Sequence, residues 1–441
     1  MGYRRQLGTL DVIMIISGAV IGGGIFMNPP IVARAAGSGG LALAMWALGG
    51  VITMAGAFCF AELGARLPHA GGSYVYLREG YGRAAAFVQG FALLVVSGAG
   101  SVAAVASFCA FCVSESLGTG EGSRPLIATA AIGALTAVNC VGLRPGATTQ
   151  NVLTSLKIGL LVLVTGAGIK ASAVAVAAPV VAAPLDWMAV LGSMVPVIFA
   201  YNGWQVIGFV AGEIDDAPRR LPRALMGSIF VLIALYLAVN GAYIAGLGFT
   251  GLAATPFPGP AVMERAFGAL GGTLMRVGTI ISTLGFLNVS ILTMPRVLQA
   301  MAADGLFFRS FGELHQRFNT PVRAIVLQSL WGVLLVFSGR ADELLAYVVI
   351  ADGFFMGLSA AALFAIRGRE TPEQRANQPY LSPGYPWLPA LYVLASVGIM
   401  ASAIALSPRK ALVGAGLIAA GLPLYLVFER ESVARADRAR I

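Results

Sequence analysis

The sequence predicts an all-α protein that crosses a membrane many times, and three observations predict it. The chain of 441 residues is 58% hydrophobic and only 11% charged, whereas a soluble protein carries about a quarter charged residues. Its apolar residues gather into twelve runs close to the ~20 residues that span a bilayer. Two of those runs, the first and the sixth, are interrupted at corresponding places.

The first half places spans near residues 8–36, 41–67, 82–114, 125–142, 148–170 and 187–212; the second places them near 224–248, 268–302, 321–338, 343–366, 386–405 and 411–428. The opening "MGYRRQLGTL" is basic but has no small-residue cleavage site after its apolar run, so span 1 is expected to stay in the membrane. Residues 171–186, rich in Ala, Val and Pro, read as an outer connector, and residues 429–441, "ERESVARADRARI", as a charged cytoplasmic tail. The net charge of +9 is not a nucleic-acid signal. Arg4, Arg5, Arg78, Arg83, Arg219, Arg220, Arg223, Arg367, Arg369 and Arg375 cluster in alternate loops, the positive-inside pattern that puts both termini in the cytoplasm.

Span 1 breaks at "SGAVIGGGIF" and span 6 at "FAYNGWQ". Each glycine of the triplet Gly22, Gly23 and Gly24 costs roughly 1 kcal/mol relative to alanine in a helix interior. The two breaks lie five spans apart, and an odd number inverts the second set of five. Interrupted spans at matching positions of two halves point to a transporter binding site. The plainer alternative is close helix packing through small residues, which Gly18 and Gly22 fit by spacing. Unwound backbone at mid-membrane persists only where it lines a cavity. Its N–H groups, at the positive end of a half-helix, suit a carboxylate, and its freed carbonyls suit an ammonium. A zwitterionic α-amino acid carries both.

Five stretches carry a resemblance over nearly the whole chain: "SGAVIGGGIFMNPP", "FAELGARLPHAGGSYVYLREGYG", "FAYNGWQ", "GEIDDAPRRLPRAL" and "LGFLNVSILTMPRVLQAMAADGLFF". Together they resemble the amino acid–polyamine–organocation transporters, in particular bacterial relatives of the L-type amino acid transporter light chains. The resemblance implies the leucine-transporter fold: two inverted five-span repeats, 1–170 and 187–370, and two peripheral spans in 371–428. It also implies amino acid transport by alternating access in the inner membrane. The Gly22, Gly23 and Gly24 amides match the substrate-carboxylate site, although Gly23 stands where the family often has Ser. Carbonyls of Val20, Ile21 and Phe199 match the ammonium site. Phe199 matches the aromatic gate, with Asn202, Gly203 and Gln205 beside it in the side-chain pocket.

Lys157 lies deep in span 5, where a lysine is costly and a functional reading is the default; snorkelling to the cytoplasmic interface is the alternative. The resemblance makes it a tethered replacement for a sodium ion. It would then bridge Gly18 and Ile21 of span 1 to Ser282 or Asn288 of span 8, with Tyr243 as a partner. Glu62 and Arg66 read as a helix-end ion pair. Glu213, Asp215 and Asp216 with Arg219, Arg220 and Arg223 read as an inner-loop charge cluster. Asp352, within span 10, has no assigned role.

The expected activity is sodium-independent exchange of small neutral L-amino acids (Ala, Ser, Thr). Proton-coupled symport, or uniport of larger neutral amino acids, stands as the alternative, and a channel as the alternative of another class. With only two histidines, His69 and His315, and neither in an H-E-x-x-H, a zinc protease lacks its ligands. No G-x-S-x-G elbow occurs, so no enzyme, cofactor or metal is expected. Cys59, Cys109, Cys112 and Cys140 sit in apolar runs and read as packing residues. The loop "SESLGTGEGSRPL" lacks the cysteine through which the light chains join a heavy chain. A monomer with no disulfide-linked partner is therefore expected.

Overall fold

Inside hydrocarbon an open chain can satisfy its backbone only by coiling on itself, and the architecture follows that rule. The computed structural model describes residues 2–172, 187–338, 341–406 and 408–438. Among them there is no strand, only one isolated parallel bridge between Leu7 and Ile214. The expected connector 171–186 lies, from residue 173 on, outside the described residues.

The elements that position the site are α1 (Thr9–Val20), α2 (Gly24–Met27), α3 (Gly39–Arg66), α4 (Arg83–Leu117), α5 (Leu143–Ser172), α6 (Met194–Tyr201), α7 (Ala217–Leu247), α8 (Ala269–Thr293), α9 (Ala341–Gly368) and α10 (Trp387–Leu406). Seven helical stretches among the described residues are long and apolar enough to cross a membrane, and three shorter helices are apolar. Large apolar side chains such as Leu126, Phe230, Leu330, Leu394 and Leu412 stand exposed on the outside. A surface of that kind calls for lipid rather than water.

Helix α1 packs against α5, α7 and α8 and against the 3₁₀ stretch Trp204–Glu213. Its residues Ile15 to Val20 are all buried, as expected for a helix apolar all round. Asp11 sits in its first turn, accepts the Gly8 N–H at 2.9 Å and Asn151 Nδ2 at 2.8 Å, and lies at the positive end of the helix dipole.

Both expected breaks are present as helix interruptions. α1 stops at Ile21, whose backbone is extended, and α2 resumes at Gly24. α6 stops at Asn202, also extended, and Gly203 at φ +118° turns the chain into the 3₁₀ stretch. Only glycine fits there. A Cβ on Gly203 would lie 2.6 Å from the Ala19 carbonyl oxygen, so the two breaks are pressed together.

The eighth predicted span, 268–302, is present as one helical stretch, Ala269–Ala303, with a turn at Met294 ahead of Pro295. Two features differ from the expected elements. α4 contains a π-helical stretch, Leu93–Gly98. The tail expected from residue 429 is helical through Arg438, in the helix Gly421–Arg438.

Candidate functional site

The site begins with what the first break leaves undone. Ile21 N–H still bonds the Ser17 carbonyl at 2.8 Å, and the Gly23 carbonyl already accepts from Phe26 and Met27 at 3.0 Å. Between them, no hydrogen bond among the described residues takes the N–H groups of Gly22, Gly23 or Gly24. Gly23 is exposed and its neighbours are half-buried. The three glycines are not equivalent. A Cβ at Gly22 or Gly23 would meet nothing closer than 3.7 Å, whereas one at Gly24 would lie 2.7 Å from the Ala200 Cα. Gly24 is the close contact between α2 and α6; Gly22 and Gly23 border open space.

The carbonyl side of the break is more fully used than expected. Lys157 is buried, and its Nζ donates to the Gly18 carbonyl at 2.8 Å and the Ile21 carbonyl at 2.9 Å. These are the last carbonyls of α1, at the negative end of its dipole, where a cation is favoured. Ser282 Oγ on α8 reaches the same Ile21 oxygen at 3.5 Å. Ile21 was expected in two roles and is engaged in one; the lysine and Ser282 take the two lone pairs its carbonyl has. Val20 and Phe199 each retain a lone pair, their oxygens accepting Tyr236 Oη at 3.0 Å and Asn202 N–H at 3.1 Å.

Two expected partners of Lys157 make no hydrogen bond with it among the described residues. Asn288 bonds Asn139 at 2.9 Å, the Gly146 carbonyl at 3.1 Å and Gln150 at 2.9 Å. Tyr243 is buried, but its hydroxyl has no hydrogen-bond partner among the described residues. The tyrosine that serves the broken helices is Tyr236, two turns earlier on α7. Its hydroxyl donates to the carbonyls of Val20 and of Ala200, the latter at 3.2 Å, and so ties break 1 to break 6. Trp46 and Tyr201 enclose its ring, with centroids 5.9 Å and 4.9 Å away. Gly285 on α8 was also missed: a Cβ there would lie 2.5 Å from Lys157 Cε, so its bare backbone makes room for the lysine.

On the second break, Gln205 Oε1 accepts the Gly203 N–H at 3.0 Å and fixes the turn. Asn28 Nδ2 donates to the Pro196 carbonyl at 2.7 Å and joins the two broken elements near α2. Phe199 is 39% exposed and lines a cavity of about 60 Å³ with Asn202, Asp352, Met356 and Ser396. The predicted carboxylate and ammonium groups therefore share one region, and Phe199 stands beside it.

The N-terminal segment is tied to the end of the 3₁₀ stretch. Gln6 and Leu7 N–H groups donate to the Glu213 carbonyl at 2.8 and 3.0 Å, and Asp215 N–H returns a bond to the Leu7 carbonyl at 3.1 Å. The Glu213 carboxylate, expected in a cluster with Arg219, Arg220 and Arg223, instead pairs with fully buried Arg296 at 2.8 Å. Asp215 does meet Arg220, at 3.0 Å and in the open. Glu62 is likewise more than a helix-end pair. It holds Arg66 and Arg367 at 2.5 Å and the Ser382 N–H at 2.6 Å, while Arg66 also meets Glu370. Nearby, Asp304 accepts from Arg78 at 2.7 Å and Tyr74 at 2.8 Å. Burial and that carboxylate push the Tyr74 phenol well above its ordinary range.

Residues 7–428 match the amino acid permease family. The chain is 28% identical to the serine/threonine exchanger SteT of Bacillus subtilis (strain 168), over 96% of this chain and 97% of that one. It is 26% identical to the large neutral amino acids transporter small subunit 2 of Homo sapiens, over 97% of this chain and 81% of that one. It is 27% identical to the human b(0,+)-type amino acid transporter 1, over 96% and 88%. A match that runs from the N-terminal bridge to the last helix leaves a transporter rather than an enzyme, and the chain belongs to the amino acid permease family.

Proposed function

We propose that this chain is a sodium-independent exchanger of small neutral L-amino acids, alanine, serine and threonine, working by alternating access. The observation that carries the proposal is the pairing at the first break: three glycine N–H groups without a partner among the described residues on one side, and Lys157 anchored to the carbonyls of Gly18 and Ile21 on the other. The N–H groups suit the substrate carboxylate and the spare lone pairs of Val20 and Phe199 suit its ammonium. Lys157 supplies in covalent form the positive charge that a sodium ion would bring to the α1 C-terminus, so no sodium is needed for the site to assemble.

The same reading assigns twelve spans in the leucine-transporter arrangement, with both termini in the cytoplasm and the chain in the inner membrane, working as a monomer without a disulfide-linked heavy chain. In that orientation the contacts of Gln6 and Leu7 with Glu213 close the cytoplasmic side, and Phe199 guards the outer side. The printed activity of the Bacillus relative, serine/threonine exchange, supports both the exchange mode and the substrate size. The test is uptake of labelled L-alanine and L-serine into proteoliposomes, empty or preloaded with unlabelled amino acid, in choline buffer. Exchange predicts uptake only into preloaded vesicles. Uptake into empty vesicles that follows an imposed pH gradient replaces exchange with proton symport, and dependence on added sodium overturns the role given to Lys157.

A further inference from the structure

Asp352 takes part in none of the contacts described so far. It lies within α9, where an ionisable side chain is costly in a membrane and seldom idle. It lines a small cavity together with Ser97. Ser97 belongs to the π-helical stretch of α4, a geometry that recurs at functional sites because it widens the helix wall.

Asp352 and Met356 line two cavities in common. One is the cavity of about 60 Å³ that Phe199 and Asn202 line, next to the break. The other, about 30 Å³, is bounded by Gln89, Ser97 and Gln205. The polar groups of the smaller cavity are of both kinds. Gln89 is buried and donates to Ser73 Oγ at 3.0 Å, and its Oε1 is left without a partner among the described residues. Gln205 is turned the other way, its oxygen held by the Gly203 N–H and its amide nitrogen left over. The cavity thus presents acceptors from Asp352 and Gln89 and a donor from Gln205, around room for one or two water-sized groups. An ammonium would face the Gln205 donor, and a methyl would leave the acceptors unfilled. A hydroxyl both donates and accepts.

We infer that this cavity is the side-chain subsite of the transported amino acid, and that Asp352, Gln89 and Gln205 select a β-hydroxyl. The inference rests on the transport reading given above and names the substrate class of the same site. It distinguishes serine from alanine at residues that the glycine break does not include.

L-Serine and L-2-aminobutyrate, which carries a methyl in place of the hydroxyl, are the probes. Their ratio of exchange efficiency is measured in proteoliposomes of wild type and of Asp352→Asn. Wild type is expected to favour serine by about tenfold, the value of one well-placed hydrogen bond, and the variant to lose most of that preference. Should Asp352→Asn fail to yield folded protein, Gln89→Met makes the same test from the opposite wall. An unchanged ratio in a folded variant overturns the subsite. So does a wild-type protein that exchanges alanine without preferring serine, and in that case the transport reading stands. Protein that moves neither probe nor alanine overturns both. An intact ratio with loss of uptake driven by a pH gradient makes Asp352 a proton site and overturns the subsite.

Discussion

The ammonium of Lys157 lies 2.8 Å from the carbonyl oxygen of Gly18, across the α5–α1 contact, and so ends the half-helix α1 with a charge from the continuous helix α5. A second bond at 2.9 Å to Ile21 fixes the first residue of the break. Lys157→Ala removes both bonds, leaves the Gly18 carbonyl unmatched and leaves Ile21 only the long contact with Ser282, at about 1–3 kcal/mol for an unsatisfied buried group. Initial exchange rates at matched incorporation are expected to fall at least about tenfold, with a lower melting temperature in detergent. Full activity would mean that the break holds without the lysine.

Gly23 and Gly24 of the triplet are expected to respond in opposite ways. Gly24→Ala drives a methyl into the Ala200 backbone at 2.7 Å, and overpacking of that kind costs typically 1–3 kcal/mol. A methyl at Gly23 meets only Met27 Sδ, at an ordinary 3.7 Å, so the fold is expected to survive Gly23→Ala. Gly23→Leu is expected to fold and to lose substrate binding, because the side chain fills the space in front of the free N–H groups. Thermal melting with and without L-serine separates the effects: Gly24→Ala lowers the baseline, while Gly23→Leu keeps it and loses the ligand-induced rise.

Tyr236→Phe and Tyr243→Phe form a matched pair. The first removes the hydroxyl that bridges Val20 and Ala200, with an expected loss of about 1–3 kcal/mol and slowed exchange. The second removes a buried hydroxyl that has no partner among the described residues, so stability is expected to stay level or rise. Equal effects from both would contradict the assignment of Tyr236 as the tie between the breaks.

Removing one member of the Glu213–Arg296 pair leaves an uncompensated buried charge. Glu213→Gln is expected to destabilise the fold by about 3–5 kcal/mol, seen in chemical denaturation of the purified protein. Asp215→Asn, which breaks the exposed Arg220 pair at 3.0 Å, is expected to cost no more than about 1 kcal/mol.

These contrasts mark where the sequence was legible. The membrane class followed from composition, and the breaks followed from glycines that a continuous apolar helix would not carry. Lys157 stood out because a charge so deep in an apolar run needs a reason. Tyr236 and Tyr243 share a helix face two turns apart, so spacing alone does not choose between them; the choice falls to the position of Val20. The π-helical stretch has no compositional mark, since "LLVVSG" reads as ordinary helix. Glu213 has three arginines close by in sequence, and only the return of the chain at Pro295–Ala303 brings it Arg296 instead. Gly285 matters through the side chain it lacks, which no pattern along its own helix reveals.

The central claim, that Lys157 stands in for a cation at a broken-helix amino acid site, is tested most directly by serine counterflow in proteoliposomes with sodium absent. Preloaded wild-type vesicles in choline are expected to accumulate labelled L-serine at a rate that added sodium does not change, while Lys157→Ala vesicles of equal protein content do not. Counterflow that requires sodium in the wild type, or that persists undiminished in Lys157→Ala, would contradict it.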